Sequence, residues 1–539
     1  MKYSIKGVIV LVALAFGIKA SAQQSVQDGI KMYQYNKWQS AERILEPLAA
    51  TNPKANYYLG LCYIIEGKLE KANAAFSKFP EDAANISGTA RVAFAQKNAA
   101  RGMQIAKELA AKSKKKEWIQ EKFAADAITY SEGGDYLQAI AWYKDALTKA
   151  DEAETHIGLG DAFRKVPGGG GEAMTNYESV TEKDNKNSLA YSRIGDLWYE
   201  AHNYQSALDN YAKAKDADNT NPLPYMALAD AYARSGKFKM ALDNIQPYIK
   251  LSDNTLADKM KYLRLMYLAQ SYCEAAKYAQ ELMNGQSLSG DEKIEVTGIT
   301  GFSQAECGDS MLALQNLHTY FHIVNPSKIT PGAYIQFGKL FLKMGMLDSA
   351  GYYYNKGIAD DTAHNKTDIY RTIAEAFKTK KDYCKSADWY NNLIRANPET
   401  QPSDYAWRGI MYYYCKDLDK ALKSFQDFVA KYPDQPSGAY WLGRTAAAID
   451  SDAATGGAVE YYKKWLEKVG PNYEKKNDLK GAYEYLMYFY YNKKDKENMK
   501  AYMDKIKEID PNNKSVKEIE DAEKSAGAPK KAAPAKPKK

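Results

Sequence analysis

G-D-L-W-Y-E-A-H-N-Y-Q-S-A-L-D-N-Y, residues 195–211, holds the reading on which the fold turns. Gly195 stands twelve places before Ala207, Trp198 follows the glycine by three, and Tyr211 follows the alanine by four. The same spacing of a small residue and an alanine recurs at Gly29/Ala41, Gly60/Ala72, Ala127/Ala139, Ala229/Ala241, Gly301/Ala313, Gly338/Ala350 and Gly409/Ala421. Two antiparallel helices joined by a tight turn approach closely where each carries a small residue, and larger apolar residues wrap the crossing. Tyr63, Tyr130, Trp198, Tyr232, Phe341 and Tyr412 supply the first wrapping position; Leu45, Phe76, Tyr143, Tyr211, Ile245, Leu317, Tyr354 and Phe425 supply the second. Asn52-Pro53, Asn221-Pro222, Asn325-Pro326, Asn397-Pro398 and Tyr432-Pro433 punctuate the series.

This pattern resembles the tetratricopeptide repeat, a helix-turn-helix unit of 34 residues. The resemblance implies an all-α fold, a right-handed superhelical solenoid of stacked hairpins that holds other molecules in a groove lined by its first helices. Looser copies occur at Gly160/Ala173, Ala374/Ala387, Gly443/Ala458 and Met487/Met499, while residues 86–112 and 256–283 are helical in pattern without a clear small pair. Twelve recognisable units and two degenerate ones are expected over residues 23–513, with a polar capping helix over 514–523.

The first 22 residues read as a cleaved export signal: Lys2 and Lys6, an apolar run from Gly7 to Ile18, then Ala20-Ser21-Ala22 before Gln23. The expected destination is the periplasm, with secretion or peripheral association with the outer membrane as the alternative. The formal charge of +7 is misleading. Lys2, Lys6 and Lys19 contribute +3 and the six lysines of residues 524–539 contribute +6, which leaves −2 over residues 23–523. A nearly neutral exported body argues against nucleic acid. The lysine-, alanine- and proline-rich tail from 524 is expected to be disordered, and it suits a contact with anionic lipid or cell wall.

No motif supports catalysis, a cofactor or a metal. His318 and His322 lack companion ligands, and Gly168 to Gly171 are not followed by the Gly-Lys-Ser/Thr of a phosphate loop. In the repeat frame Cys273 and Cys384 begin second helices while Cys307 and Cys415 end the following first helices, so each pair faces across a unit boundary. Disulfides Cys273–Cys307 and Cys384–Cys415 are therefore expected in an oxidising compartment, with Cys62 free.

Asp161, Asp196 and Asp230 occupy equivalent places, one after the crossing residue on three successive first helices, with Lys339, Glu375 and Arg444 at that place in later units. With Tyr199, Tyr413 and Tyr491 one turn on, they are the expected partner-binding residues. The lysine-and-asparagine clamp by which one subclass of the resembled family grips a C-terminal carboxylate is missing. The sequence thus points to a non-enzymatic scaffold or adaptor of a bacterial envelope assembly such as a secretion, motility or outer-membrane machine. The alternative is a glycan-binding or cell-wall module using some of the 44 tyrosines and the basic tail.

Overall fold

The computed structural model describes residues 25–359, 366–470 and 472–527. Every regular element among them is helical, and consecutive helices pair as antiparallel hairpins. The chain divides into two compact units, residues 1–307 and 308–539. Within the first, hairpins 1 to 8 span residues 26–45, 53–76, 83–111, 119–149, 153–183, 188–217, 222–251 and 256–285, followed by helix Gly290–Cys307. Within the second, helix Ser310–Ile323 precedes hairpins over 331–359, 366–396, 402–431, 436–469 and 476–509, and helix Lys514–Gly527 closes the series. This last helix runs four residues beyond the expected cap, because Lys524, Ser525 and Ala526 continue the helical chain before Gly527. The expected export signal over residues 1–22 and the tail from Ala528 lie outside the described residues.

The crossing glycines do more than bring two backbones together. A Cβ added to Gly60 would fall 2.3 Å from the Phe76 ring, one on Gly195 2.6 Å from Tyr211, and one on Gly409 2.5 Å from Phe425. In each case the ring stands four places after the alanine of the second helix and fills the space that the missing side chain leaves. Gly160 receives Tyr177 and Gly443 receives Tyr462 by the same rule, although their hairpins carry one and three extra residues.

The two stretches without a clear small pair are hairpins whose large and small residues have changed places. In hairpin 3 the second-helix residue is Gly102, and the ring that fills it is Phe94 from the first helix, 2.6 Å from where its Cβ would stand. In hairpin 8 the first-helix residue is Leu263, fully buried, and the second helix answers with Ala275 and Ala279, also fully buried.

Turn geometry keeps the same register. Seven places after the first crossing residue the backbone enters the left-handed region, at Asn36, Gly67, Lys97, His202, Gly236, Gln270, Gly345, Lys381, Lys416 and Lys494. The next N–H then returns to a carbonyl five residues back, as in Lys68 N to Tyr63 O (2.8 Å) and Asp495 N to Tyr490 O (2.9 Å), closing the first helix in a Schellman turn. A left-handed lysine pays a Cβ penalty that glycine avoids, so Lys494→Gly is expected to raise stability by about 0.5–1 kcal/mol, read as a shift in the denaturation midpoint. Two of the punctuating prolines open helices, Asn52 and Asn221 capping first helices that begin at Pro53 and Pro222, while Pro398 and Pro433 lie in the turns before helices that begin at Pro402 and Pro436.

The insertion in hairpin 436–469 is organised by Asp450. Its carboxylate accepts from the backbone N–H groups of Thr455 (3.1 Å), Gly456 (2.9 Å) and Gly457 (3.3 Å) and from the Tyr485 hydroxyl (2.5 Å). Burial works against this charge, but the Tyr485 hydroxyl and the Thr455 and Gly456 amides outweigh it and hold the carboxyl below its ordinary range. A depressed folded-state value gives stability that is complete above the unfolded value of about 3.9 and is lost as pH falls through the folded one. The second unit should therefore keep a constant unfolding midpoint down to about pH 4 and weaken below it. Asp450→Asn should lower the midpoint at pH 7 and flatten that acid slope.

Both cysteine pairs are joined, Cys273–Cys307 with Cα atoms 5.1 Å apart in the first unit and Cys384–Cys415 with Cα atoms 5.0 Å apart in the second. Cys62 is free and buried.

Candidate functional site

The first unit surrounds a hollow of about 950 Å³ lined by successive first helices: Ile64 of hairpin 2, Arg91 and Phe94 of hairpin 3, Thr129 of hairpin 4, Asp161 of hairpin 5, and Arg193 and Asp196 of hairpin 6. A second hollow of about 390 Å³ shares Arg91, Tyr130 and Arg193 with it and adds Tyr33, Tyr57, Tyr58, Lys122 and Asp126. Three of these side chains share one place in the crossing register. Arg91 follows Ala90 of hairpin 3 as Asp161 follows Gly160 and Asp196 follows Gly195, so one helical position supplies these three, while Asp126 stands one place before Ala127 and Arg193 two before Gly195.

The acids of the row are tied to their own hairpins. Where the ring that fills the crossing glycine is a tyrosine, its hydroxyl emerges beside the acid one place after that glycine. Tyr177 donates to Asp161 (2.7 Å), Tyr211 to Asp196 (3.0 Å) and, in the second unit, Tyr390 to Glu375 (2.5 Å). Tyr143 donates to Asp126 (2.6 Å) from the neighbouring position. Burial, and then the adjacent carboxylates, push these phenols far above their ordinary range, so they remain donors. Hairpin 7 carries Ile245 instead of tyrosine. Asp230 accordingly turns to Lys261 of hairpin 8 at 2.6 Å and stays more exposed.

Arginines join the row from unit to unit. Arg193 ion-pairs with Asp161 at 2.9 Å and reaches Asp196 at 3.6 Å, and Arg164 reaches Asp196 at 3.5 Å and Glu200 at 2.5 Å. The Tyr130 hydroxyl adds a third partner to Asp161 (3.0 Å). Burial raises Asp196 above the usual carboxylate range against the pull of Arg193 and Arg164. Lys122, buried beside Asp126 at 2.7 Å, keeps its charge because Asp126 and Glu154 outweigh the burial. Exposed Lys97, Glu132, Lys165 and Glu200 form a rim of mixed sign.

Of the residues singled out in the sequence, the structure brings Asp161 and Asp196 to the larger hollow; Asp230 is not among its lining residues. Asp161 is not an open charge, being 7% exposed and fully partnered by Tyr130, Tyr177 and Arg193. Tyr199 lies edge-on to Tyr204 at 5.5 Å with the Arg234 guanidinium over its ring, and its hydroxyl is buried. In the second unit Tyr413 packs against Trp441 and Arg444, and Tyr491 is 38% exposed beside a separate hollow with Lys494 and Glu523. Sequence reasoning missed Arg91, Lys122, Asp126, Arg164 and Arg193. Arg91 was hidden by the exchanged large and small residues of hairpin 3.

His318 and His322 are both exposed, His318 against Phe337 at 5.7 Å. Among the described residues no group of three or more His, Cys, Asp or Glu side chains is arranged to hold a metal ion, and no helix is long and apolar enough to cross a membrane.

Antiparallel hairpins, a large side chain set into the crossing glycine and a left-handed turn seven places on recur through both units. This is the architecture of tetratricopeptide repeats. No protein-family model matches the chain, and no curated protein matches it. Among solved structures it is similar to the C-terminal part of a tetratricopeptide repeat-containing protein from Cytophaga hutchinsonii, 28% identical over 48% of this chain and 98% of that one, with a TM-score of 0.32. It is also similar to PilW, a type IV pilus biogenesis factor (15% identical, 40% of this chain, 95% of that chain, TM-score 0.30). A third is a tetratricopeptide repeat protein from Parabacteroides merdae (16% identical, 48% of this chain, 99% of that chain, TM-score 0.28).

Proposed function

We propose that this tetratricopeptide repeat chain is a non-enzymatic scaffold of the bacterial envelope, acting in the periplasm, and that the paired hollows of its first unit hold a segment of a partner protein. The observation that carries this reading is the inner row itself. Charges inside the hollow are fixed by tyrosine and arginine partners, so they present a preorganised polar wall whose ordering is already complete before a partner arrives. The tyrosine faces of the smaller hollow supply apolar area beside that wall, a combination suited to protein contact. The rim of Lys97, Glu132, Lys165 and Glu200 carries both signs, which suits a partner segment of mixed charge and gives the encounter a dependence on salt.

The test is affinity capture after crosslinking in intact cells, comparing the native chain with a Lys97→Ser/Glu132→Gln/Lys165→Ser variant. These three residues are exposed, so thermal stability should stay within about 0.5 kcal/mol of native. Capture of the same protein partners should fall by about tenfold. Native-strength capture by the variant, at low and high salt alike, would place the binding surface elsewhere. Recovery of glycan without protein would replace a protein partner by the cell wall.

A further inference from the structure

Besides Tyr33, which reaches Arg91 of hairpin 3, hairpin 1 is held within the first unit at two places. Its apolar face packs on hairpin 2, in a core of Ala41, Leu45, Tyr57, Leu61, Cys62 and their neighbours. Its other contact lies some 200 residues away in the chain and is polar. The Tyr35 hydroxyl donates to Asp218, with Lys31 at 3.1 Å from the same carboxylate, in the link between hairpins 6 and 7. Asp253, in the link between hairpins 7 and 8, accepts from the N–H groups of Gln39 (2.9 Å) and Ser40 (3.4 Å) and from the Ser40 hydroxyl (2.5 Å).

These contacts fill a need built into hairpin 1. Its second helix, Trp38–Leu45, begins at Lys37, which provides no side-chain cap. The first N–H groups of a helix require acceptors, and Asp253 supplies them from across the unit. The geometry closes a wall as well: Tyr33, Asn36 and Trp38 of hairpin 1 line the 390 Å³ hollow together with Asn187, Leu189 and Arg193 of hairpin 6.

We infer that hairpin 1 is a clasp across the mouth of the first-unit hollow, hinged on its apolar contact with hairpin 2 and latched by Asp218 and Asp253. Release of the latch opens the hollow sideways, and relatching retains what has entered. The polar latch yields to water and salt at little cost, whereas the apolar hinge does not. The clasp stands on these contacts alone; its role as a gate rests on the proposed holding function.

The chain carries its own reporter. Cys62 is its free thiol, fully enclosed in the core that hairpin 1 covers, and burial pushes it up to about 12. The thiol lies in the hinge core, so a soluble reagent labels it only when latch and hinge part together, an opening that the latch makes rarer. In the native protein labelling should be slow and should accelerate in 1 M salt. An Asp218→Asn/Asp253→Asn variant should label roughly 10- to 100-fold faster and lose that salt response, because charge-assisted hydrogen bonds are removed. Asp216→Asn, at a neighbouring acid outside the latch, should label at the native rate. Hydrogen exchange should rise in residues 26–45 of the latch variant while hairpins 4 and 5 keep native protection.

An unchanged labelling rate in the latch variant, or an equal acceleration in Asp216→Asn, overturns the clasp. If the clasp opens as expected but partner capture is neither faster to form nor faster to release in the latch variant, the clasp is present and the gate is not. Loss of capture in the rim variant with normal Cys62 kinetics bears on the holding function alone.

Discussion

Phe76→Ala should destabilise the first unit by about 3–5 kcal/mol, among the largest effects available to a single substitution in this chain. The Phe76 ring is 1% exposed and sits in the space left by two glycines, Gly60 of its own hairpin and Gly88 of the next; a Cβ on either would stand 2.3 Å from it. Removing the ring leaves a void between three helices where Gly60 and Gly88 have no side chain to fill it. Gly60→Ala should cost about 1–3 kcal/mol by the opposite route, overpacking the same space. The two changes act on one volume, so Gly60→Ala combined with Phe76→Leu should cost less than the sum of its single variants. Urea unfolding followed through Trp38, which packs on the same core, measures the cycle. Strict additivity would show that glycine and ring are not complementary.

Loss of the Cys384–Cys415 bridge should cost the second unit about 3–4 kcal/mol, the value expected for closing a loop of 31 residues in the unfolded chain. The bridge joins the start of one second helix to the end of the next first helix, so it fastens two hairpins whose stacking otherwise depends on side-chain packing. In the Cys384→Ser/Cys415→Ser variant the second unit should unfold at lower denaturant and become indifferent to reductant, whereas in the native chain that unit loses stability when reduced; the Cys273–Cys307 bridge of the first unit stays reducible in both. Peptide mapping without reductant should find both bridged pairs; alkylation of all five thiols in unreduced protein would contradict them.

The hairpins, their order and the cysteine pairing were legible because each depends on residues within a single repeat period. Gly60 and Phe76, or Gly195 and Tyr211, are sixteen apart and meet whatever the rest of the chain does. Hairpins 3 and 8 were harder because Phe94 with Gly102, and Leu263 with Ala279, reach the same packing with size exchanged between the helices. That exchange concealed Arg91, which occupies the register of the aspartates. Of the three aspartates, Asp161 and Asp196 line the larger hollow and Asp230 does not, and each has a partner side chain within the unit. Whether an acid after the crossing glycine is open or bonded depends on the ring that fills that glycine: tyrosine ties down Asp161 and Asp196, while Ile245 leaves Asp230 to Lys261. The contacts of Asp218 and Asp253 with hairpin 1 were beyond repeat periodicity, since they follow from the rotation accumulated over six and seven hairpins rather than from any local spacing.

Site-specific photocrosslinking in the envelope decides whether the first-unit hollow holds a protein segment. A photoreactive side chain placed at Tyr58 within the smaller hollow, or at Lys97 on the rim, should give discrete protein adducts that weaken in high salt, while one at Leu137, 68% exposed on a second helix, should give none. Adducts from Leu137 with none from Tyr58 or Lys97 would contradict the account.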